Sequence, residues 1–141
     1  MYRLSDGSIV TCFIHDIFEI EKKMNEKEID NYYKNADGCL IVYDISKKQS
    51  FEEVKKKYIP IINKKCQKNI KIILLGNKND LDYLREVSID EGTNLALDNN
   101  FYFKETSCVE NKNVDDVFQT MIEMTHFELN EQSKKSKCSI F

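Results

Sequence analysis

Proline, glycine and tryptophan are scarce in this chain. Its 141 residues include one proline, four glycines and no tryptophan. No stretch rich in glycine, proline or serine interrupts the sequence and no segment repeats, so nothing marks a linker between domains. We therefore expect one domain over residues 1–129, large enough to bury a core. Residues 130–141 form a polar, basic tail in this interpretation.

Long apolar runs and paired cysteines are also missing. No segment approaches the roughly 20 apolar residues of a membrane-spanning helix. The first ten residues lack the apolar run of a signal peptide. The five cysteines include no Cys-x-x-Cys pair, and their odd number would leave one unpaired. This usage favours reduced thiols in a cytoplasmic protein.

An excess of positive charge is absent as well. The formal net charge is −3 at pH 7, and the isoelectric point is about 5.5. Proteins that bind nucleic acid normally carry a basic face, so nucleic acid is excluded as an expected partner. The shares of hydrophobic residues (41%) and charged residues (32%) are typical of a soluble globular protein.

Several segments carry the signals of β-strands. Asp6-Gly7 favours a tight turn between strands at 2–5 and 8–15. The apolar runs at 39–45 and 71–76 suit strands that are buried on both faces of a parallel sheet. A further short strand is expected at residues 101–105.

Helix signals lie between these strands. Ser50 precedes Glu53 by the three residues of a capping box, which predicts a helix start. Ser88 and Glu91 repeat this relation and predict a second start. Pro60 should kink or break the first helix. The alternation of strands and helices predicts an α/β fold with a doubly wound sheet.

Two of the predicted strands run into polar tetrads. Asn77-Lys78-Asn79-Asp80 follows the run at 71–76, and Glu105-Thr106-Ser107-Cys108 ends the strand at 101–105. In open parallel sheets, ligands bind beyond the carboxyl ends of the strands. The pair resembles the NKxD and ETSA guanine-specificity loops of small GTPases. The flanking segments YYKNADGCLIVYDI and REVSIDEGTNLA are similar to the Rab branch of the Ras superfamily.

Asp80 is the residue whose chemistry suits guanine. A carboxylate can accept both donors on one edge of guanine, the N1–H and the exocyclic amine, whereas adenine would leave it desolvated and unpaired. The alternative is an ordinary strand-to-loop turn in a chain rich in Asn and Lys. By resemblance, Asn77 ties the two loops together and the Lys78 stem lies along the base. The resemblance also includes Ser107 in the site and places the Cys108 backbone N–H at guanine O6.

The resemblance implies a P-loop NTPase-like sheet with helices on both faces, but parts of that family pattern are missing. None of the glycines begins the phosphate-binding motif G-x-x-x-x-G-K-[ST]. If Asp6-Gly7 matches the hairpin before the family's third strand, the first strand, the first helix and most of switch I have no counterpart. The family's first strand lies between the third and fourth strands. Its absence predicts an unpaired edge on the strands at 8–15 and 39–45.

The segment HDIFEIE at residues 15–21 takes the place of the family's WDTAGQE. Asp16 matches an Asp near magnesium, and Ile20 replaces the Gln that orients the attacking water. A lone Asp at a strand end is otherwise unremarkable. The cofactors implied by resemblance are GTP or GDP with Mg²⁺, and whether this chain is an enzyme stays open at this point.

The C-terminal tetrapeptide Cys138-Ser139-Ile140-Phe141 matches the C-a-a-X prenylation signal. Phe in the last place favours a geranylgeranyl group. Three lysines, Lys134, Lys135 and Lys137, would each add about 1 kcal/mol of attraction near an anionic leaflet. One prenyl chain with this patch predicts a cytoplasmic protein that attaches reversibly to the cytosolic face of membranes.

Two functions are consistent with the sequence. The first is a guanine-nucleotide switch of vesicle-mediated transport, in a chain defective in phosphate binding and hydrolysis. The second is a non-enzymatic pseudo-GTPase that acts as an interaction protein on membranes. The partners implied by resemblance are prenylation proteins and regulators of Rab proteins.

Overall fold

The computed structural model describes residues 2–4, 7, 9–17, 22–132 and 138–140, with the backbone alone at 127–132, 138 and 139. The strands are β1 (Tyr2–Arg3), β2 (Ile9–Val10), β3 (Cys12–Ile14), β4 (Gly38–Asp44), β5 (Lys71–Asn77), β6 (Tyr102–Thr106) and β7 (Cys138–Ile140). The helices are α1 (Glu26–Asn35), α2 (Lys48–Glu53), α3 (Ile59–Lys65), α4 (Ile89–Asp98) and α5 (Val114–Gln132). A π-helical turn covers Val54–Tyr58, and a 3₁₀ turn covers Asn79–Leu84.

The chain divides into two compact units. The first unit comprises Met1–Cys39, Ile62–Lys71 and Gln119–Phe141, and the second comprises Leu40–Ile61 and Ile72–Phe118. The α/β class predicted from the sequence is confirmed. Among the described residues, no helix combines the length and the apolar character that are needed to cross a bilayer.

The first unit opens with the expected hairpin. β1 and β2 pair in antiparallel fashion, with Tyr2 opposite Val10. Gly7 has a φ of 86°, a left-handed conformation that glycine adopts without strain, and its N–H donates to the Leu4 carbonyl at 3.0 Å. The turn signal in the sequence therefore corresponds to a real reversal of the chain.

Strand β7 fills a position that the sequence led us to expect empty. It pairs in parallel with β3, from Cys12 opposite Cys138 to Ile14 opposite Ile140. On its other side Ile140 lies opposite Gly38, at the start of β4. The prediction of an unpaired edge is therefore wrong for the strand at 8–15. The reason is that a short apolar segment from the far end of the chain occupies the gap. For the strand at 39–45 the unpaired edge stays a prediction, because the pairing of β4 with β7 is at Gly38.

Helix α1 begins at a capping box that the sequence analysis missed. The Asn25 side chain accepts a hydrogen bond from the Glu28 N–H, and the Glu28 carboxylate accepts one from the Asn25 N–H. Asp30 on this helix forms an ion pair with Lys65 at 2.6 Å. The pair joins α1 to the end of α3 within the first unit.

The second unit contains β6, all of β5 after Lys71 and all of β4 after Cys39. Its strand order is β4, β5, β6, and β5 pairs with β6 in parallel from Ile73 opposite Tyr102 to Asn77 opposite Thr106. Most side chains of β5 are buried, as the apolar run predicted. Helix α4 approaches closely because it carries Gly92. A Cβ atom at that position would lie 2.5 Å from the Tyr43 hydroxyl and 2.6 Å from the Phe103 ring.

The two capping boxes predicted in this unit have opposite outcomes. The box at Ser88 and Glu91 is confirmed, but the one at Ser50 and Glu53 is wrong. Helix α2 begins at Lys48, so Ser50 lies inside its first turn. The Ser50 hydroxyl accepts a hydrogen bond from the Asp44 N–H at 3.0 Å and donates one to the Lys47 carbonyl at 2.7 Å. The Ser50 hydroxyl, which the sequence pattern predicted to cap the helix, is instead hydrogen-bonded to Asp44 at the end of β4.

Candidate functional site

The polar ends of β4, β5 and β6 meet at one edge of the second unit. β4 ends at Asp44, β5 ends at Asn77, and β6 ends at Thr106. The two tetrads lie at the ends of β5 and β6, which are neighbouring strands. Their side chains therefore come within hydrogen-bonding distance although they are nearly thirty residues apart in sequence, as the bond between Asp80 and Ser107 shows. This edge is the candidate site.

Asp80 is held in place by the second tetrad. The Ser107 hydroxyl donates a hydrogen bond to Asp80 Oδ1 at 2.5 Å. Ser107 is itself fixed, because its backbone N–H and carbonyl pair with Lys112 at 3.1 and 2.9 Å. Ser107 is fully buried and Asp80 is half-buried. The carboxylate therefore has a defined orientation at a partly open position.

Asn77 links the same two loops. The Thr106 hydroxyl donates to Asn77 Oδ1 at 3.1 Å, and the Cys108 thiol approaches that oxygen at 3.7 Å. The Asn77 carbonyl accepts a hydrogen bond from the Ile45 N–H at 3.1 Å, just beyond the end of β4. The structure thus brings Asn77 together with Cys108. The contact is made by the Cys108 thiol, whereas the resemblance assigned a role to the backbone N–H of this residue.

Lys78 adopts an unusual backbone conformation. Its φ of 67° lies in the left-handed region, which side chains other than glycine rarely occupy. Its ammonium group forms an ion pair with Asp44 Oδ2 at 2.7 Å. That hydrogen bond raises the pKa of Lys78. Burial alone would raise the pKa of Asp44, but the hydrogen bonds from Lys78 and Ser46 outweigh it and lower that pKa.

An ion pair holds the first residue of the second tetrad, Glu105, in place. Arg85 donates to both carboxylate oxygens of Glu105, at 2.6 and 2.9 Å. The side chains are 18% and 13% exposed, so this two-pronged pair is largely shielded from water. It raises the pKa of Arg85. Asn113 adds a hydrogen bond to the Glu105 carbonyl at 2.9 Å.

Sequence reasoning missed the partners that hold the site. Asp44 and Arg85 were not identified as candidates, and no local pattern marks either residue. Asp44 could have been found from its place at the end of a strand, because ends of neighbouring parallel strands share one edge. Arg85 pairs with Glu105, twenty residues further along the chain. Helix and strand periodicities do not relate residues that far apart, so the sequence pattern could not predict this pair.

The chemistry of this edge fits a guanine base. A carboxylate has about four lone-pair positions, so the bond from Ser107 leaves Asp80 able to accept two further donors. The Cys108 backbone N–H has no hydrogen-bond partner within the described residues, and it remains a donor for a carbonyl oxygen. The Lys78 side chain is 47% exposed, with its charge tied to Asp44. Its stem can therefore lie against the flat face of an aromatic base.

The other predicted positions are not part of this edge. Asp16 is exposed and follows β3 in the first unit. Within the described ranges, no three side chains of His, Cys, Asp or Glu are grouped so as to hold a metal ion, and the metal role of Asp16 stays a prediction. Ile20 and the three lysines of the tail lie outside the described residues, as does the side chain of Cys138.

Comparison with known proteins gives a consistent match. The model of the Ras family matches residues 8–126. The Ras-related protein RGP2 of Oryza sativa subsp. japonica is 41% identical over 106 residues, which are 75% of this chain and 48% of that protein. The GTP-binding protein ypt3 of Schizosaccharomyces pombe is 44% identical over 91 residues, or 64% and 42% of the two chains. The Ras-related protein RABA5b of Arabidopsis thaliana is 42% identical, with the same coverage. The chain spans less than half the length of these curated relatives.

Proposed function

Because the chain belongs to the Ras family of small GTPases, we propose that it is a Rab-type guanine-nucleotide-binding protein of vesicle-mediated transport. The observation that carries the proposal is the oriented carboxylate of Asp80, fixed by Ser107 where the two strand-end loops meet. In this proposal the base is held by the edge of the second unit described above.

Recognition of guanine follows from the donors and acceptors at this edge. The Asp80 carboxylate accepts the N1–H and the exocyclic amine, and the Cys108 N–H donates to O6. The Lys78 stem covers one face of the ring. Adenine lacks the two adjacent donors, so its binding would leave Asp80 desolvated without partners, which costs about 1–3 kcal/mol or more. Selectivity therefore depends mainly on Asp80.

The 141-residue chain should hold nucleotide weakly. Two hydrogen bonds to a charged group contribute about 1.5–3 kcal/mol each, and its sequence contains no G-x-x-x-x-G-K-[ST] motif to surround the phosphates. A site that binds the base alone at about 4–5 kcal/mol has a dissociation constant near 1 mM. Guanosine and GTP should therefore bind with similar affinity.

Titration calorimetry with guanosine and adenosine tests the base site. The wild-type chain should prefer guanosine, and Asp80→Ala should remove that preference. Asp98→Ala is the matched control, because it deletes an exposed carboxylate at the end of α4 and should leave the preference intact. Equal binding of the two nucleosides by the wild type, or a preference that survives in Asp80→Ala, would refute the site.

A non-enzymatic role on membranes is the second candidate. It is favoured by the HDIFEIE segment, in which Ile20 stands where the family has the Gln that orients water. An aliphatic side chain cannot hydrogen-bond that water, so this candidate predicts no GTP turnover by the chain. Measurable phosphate release, or submicromolar binding of GTP that requires Mg²⁺, would favour a working switch instead.

Membrane attachment is proposed to occur through Cys138. A prenyl group on this cysteine, with Lys134, Lys135 and Lys137 beside it, gives reversible binding to an anionic cytosolic leaflet. In cell fractionation, part of the wild-type chain should sediment with membranes, and Cys138→Ser should shift it to the soluble fraction. Cys66→Ser, at a half-buried cysteine, is the control. An unchanged distribution in Cys138→Ser would count against lipidation.

A further inference from the structure

Strand β7 places three residues of the C-terminal tetrapeptide, Cys138–Ile140, inside the sheet of the first unit. Its residues pair in parallel with β3, and the His15 N–H donates to the Ile140 carbonyl at 3.0 Å. Ile140 is 0% exposed. On the far side, Ile140 lies opposite Gly38 of β4. The backbone of Cys138–Ile140 is thus held against β3, and Ile140 lies between β3 and β4.

The same residues form the prenylation signal. A C-a-a-X signal is read through both its cysteine and its final residue, so the modifying enzyme must contact the tetrapeptide along its length. An enzyme cannot do so while the backbone of Cys138–Ile140 is paired with β3 and Ile140 also lies opposite Gly38 of β4. We propose that pairing with β3 and with the start of β4 sequesters Cys138–Ile140, so that β7 must leave the sheet before Cys138 can be prenylated. This inference rests on the proposed lipidation of Cys138.

Release of β7 requires only local opening. The strand has three residues and meets β4 at Ile140 alone, and elements with few contacts open with free energies well below that of global unfolding. After release, the Cys138 thiol attacks the first carbon of an isoprenyl diphosphate. A carbon–sulfur thioether bond forms, the carbon–oxygen bond to diphosphate breaks, and the thiol proton is lost to solvent. The bulky product then prevents β7 from returning to the gap.

The test compares the full chain with a peptide that cannot form the sheet. Purified protein geranylgeranyltransferase and geranylgeranyl diphosphate are incubated with the 141-residue chain or with a peptide of residues 130–141. The peptide should be modified at least about tenfold faster, which corresponds to about 1.4 kcal/mol of strand docking. Equal rates would overturn the inference and leave lipidation standing. Failure to modify either substrate would overturn both.

A matched pair of variants tests the strand contact itself. His15→Pro removes the N–H that donates to Ile140, whereas His15→Ala removes the same imidazole and keeps the N–H. The full chain should be prenylated severalfold faster in His15→Pro than in His15→Ala. Equal rates in two folded variants would overturn the inference.

Hydrogen exchange of the wild type gives a measurement that does not depend on how His15→Pro folds. In the unmodified chain, the amides at 12–14 and 138–140 should exchange slowly. After prenylation both segments should lose protection, because β7 has left the sheet. Protection of residues 12–14 that is the same before and after prenylation would contradict the proposal.

Discussion

The two units of the chain are stabilised in different ways. In the second unit, side chains far apart in sequence bind one another, as Arg85 binds Glu105 and Ser107 binds Asp80. In the first unit, β3 leaves Phe13 and Ile14 about half exposed, and it pairs with three residues from the other end of the chain. The loops of the candidate site are therefore fixed by several independent contacts, whereas the sheet of the first unit depends on one short strand.

The largest effect is expected from breaking the second unit at its ion pair. Arg85→Ala leaves the Glu105 carboxylate, 13% exposed, without its cation, and should lower the free energy of unfolding by about 3 kcal/mol. Urea unfolding measures the loss. Lys56→Ala is the control, because the Lys56 side chain, which pairs with Glu52, is 76% exposed. A change in Arg85→Ala no larger than that in Lys56→Ala would mean that the pair does not stabilise the unit.

Ile140→Ala in the first unit should lower the free energy of unfolding by less than Arg85→Ala does. Ile140 is fully buried, and Ile→Ala substitutions in cores cost about 2–5 kcal/mol. We expect about 2 kcal/mol, at the low end, because β7 can leave the sheet and its docking free energy limits the loss. Ile14→Ala, 55% exposed on the neighbouring strand, should change stability by less than about 0.5 kcal/mol. A loss above about 4 kcal/mol at Ile140 would show that β7 is an integral strand.

A substitution at Tyr43 is expected to leave the second unit equally stable or slightly more stable. Tyr43 is 2% exposed, and its hydroxyl has no hydrogen-bond partner among the residues that the structure describes. Burial raises the pKa of this phenol. Tyr43→Phe removes the unbonded hydroxyl, so the free energy of unfolding should stay the same or rise by about 1 kcal/mol. Tyr83→Phe, at a residue 80% exposed, serves as the reference, and a clear loss at Tyr43 alone would disprove the prediction.

The smallest expected effect is a change in the stability of the second unit at acidic pH. A hydrogen bond from Lys48, followed by one from the Ser88 N–H, lowers the pKa of Glu91 from 4.5 to about 2. Because the folded state holds the charged form, this stabilisation is complete above pH 4.5 and is lost as the pH falls towards 2. The urea midpoint of Glu91→Gln should vary less with pH across that window. Lys48→Met should move the window to higher pH, and identical profiles in all three proteins would rule out the effect.

The elements that depend on neighbouring residues were predictable from the sequence. The hairpin at Gly7, the buried run of β5 and the capping box at Ser88 each follow from a pattern a few residues long, and all three are present. Ser50 shows the limit of such patterns. It matches the same capping rule, yet a contact with Asp44 takes its hydroxyl.

The rest depended on pairings between distant residues. The positions of Asp80 and Ser107 at neighbouring strand ends could be inferred from the sheet, but the Lys78–Asp44 pair could not. Strand β7 was predicted as part of a polar tail, because three residues carry too short a pattern to identify a strand. It lies between β3 and β4 in the strand order, a position that only the assembled sheet defines.

The helical segment after β4 contains a π-helical turn, which adds one residue to the helix, and Pro60 lies just after this turn. In the π-helical turn, the Ile59 N–H donates to the carbonyl of Val54, five residues back instead of four. Loss of one residue from 55–57 would restore a regular helix. Pro60 would then lie in an uninterrupted helix, where its ring and its missing N–H cost about 3 kcal/mol. Deletion of that residue alone should therefore destabilise the helix by about this amount, whereas the same deletion combined with Pro60→Ala should not.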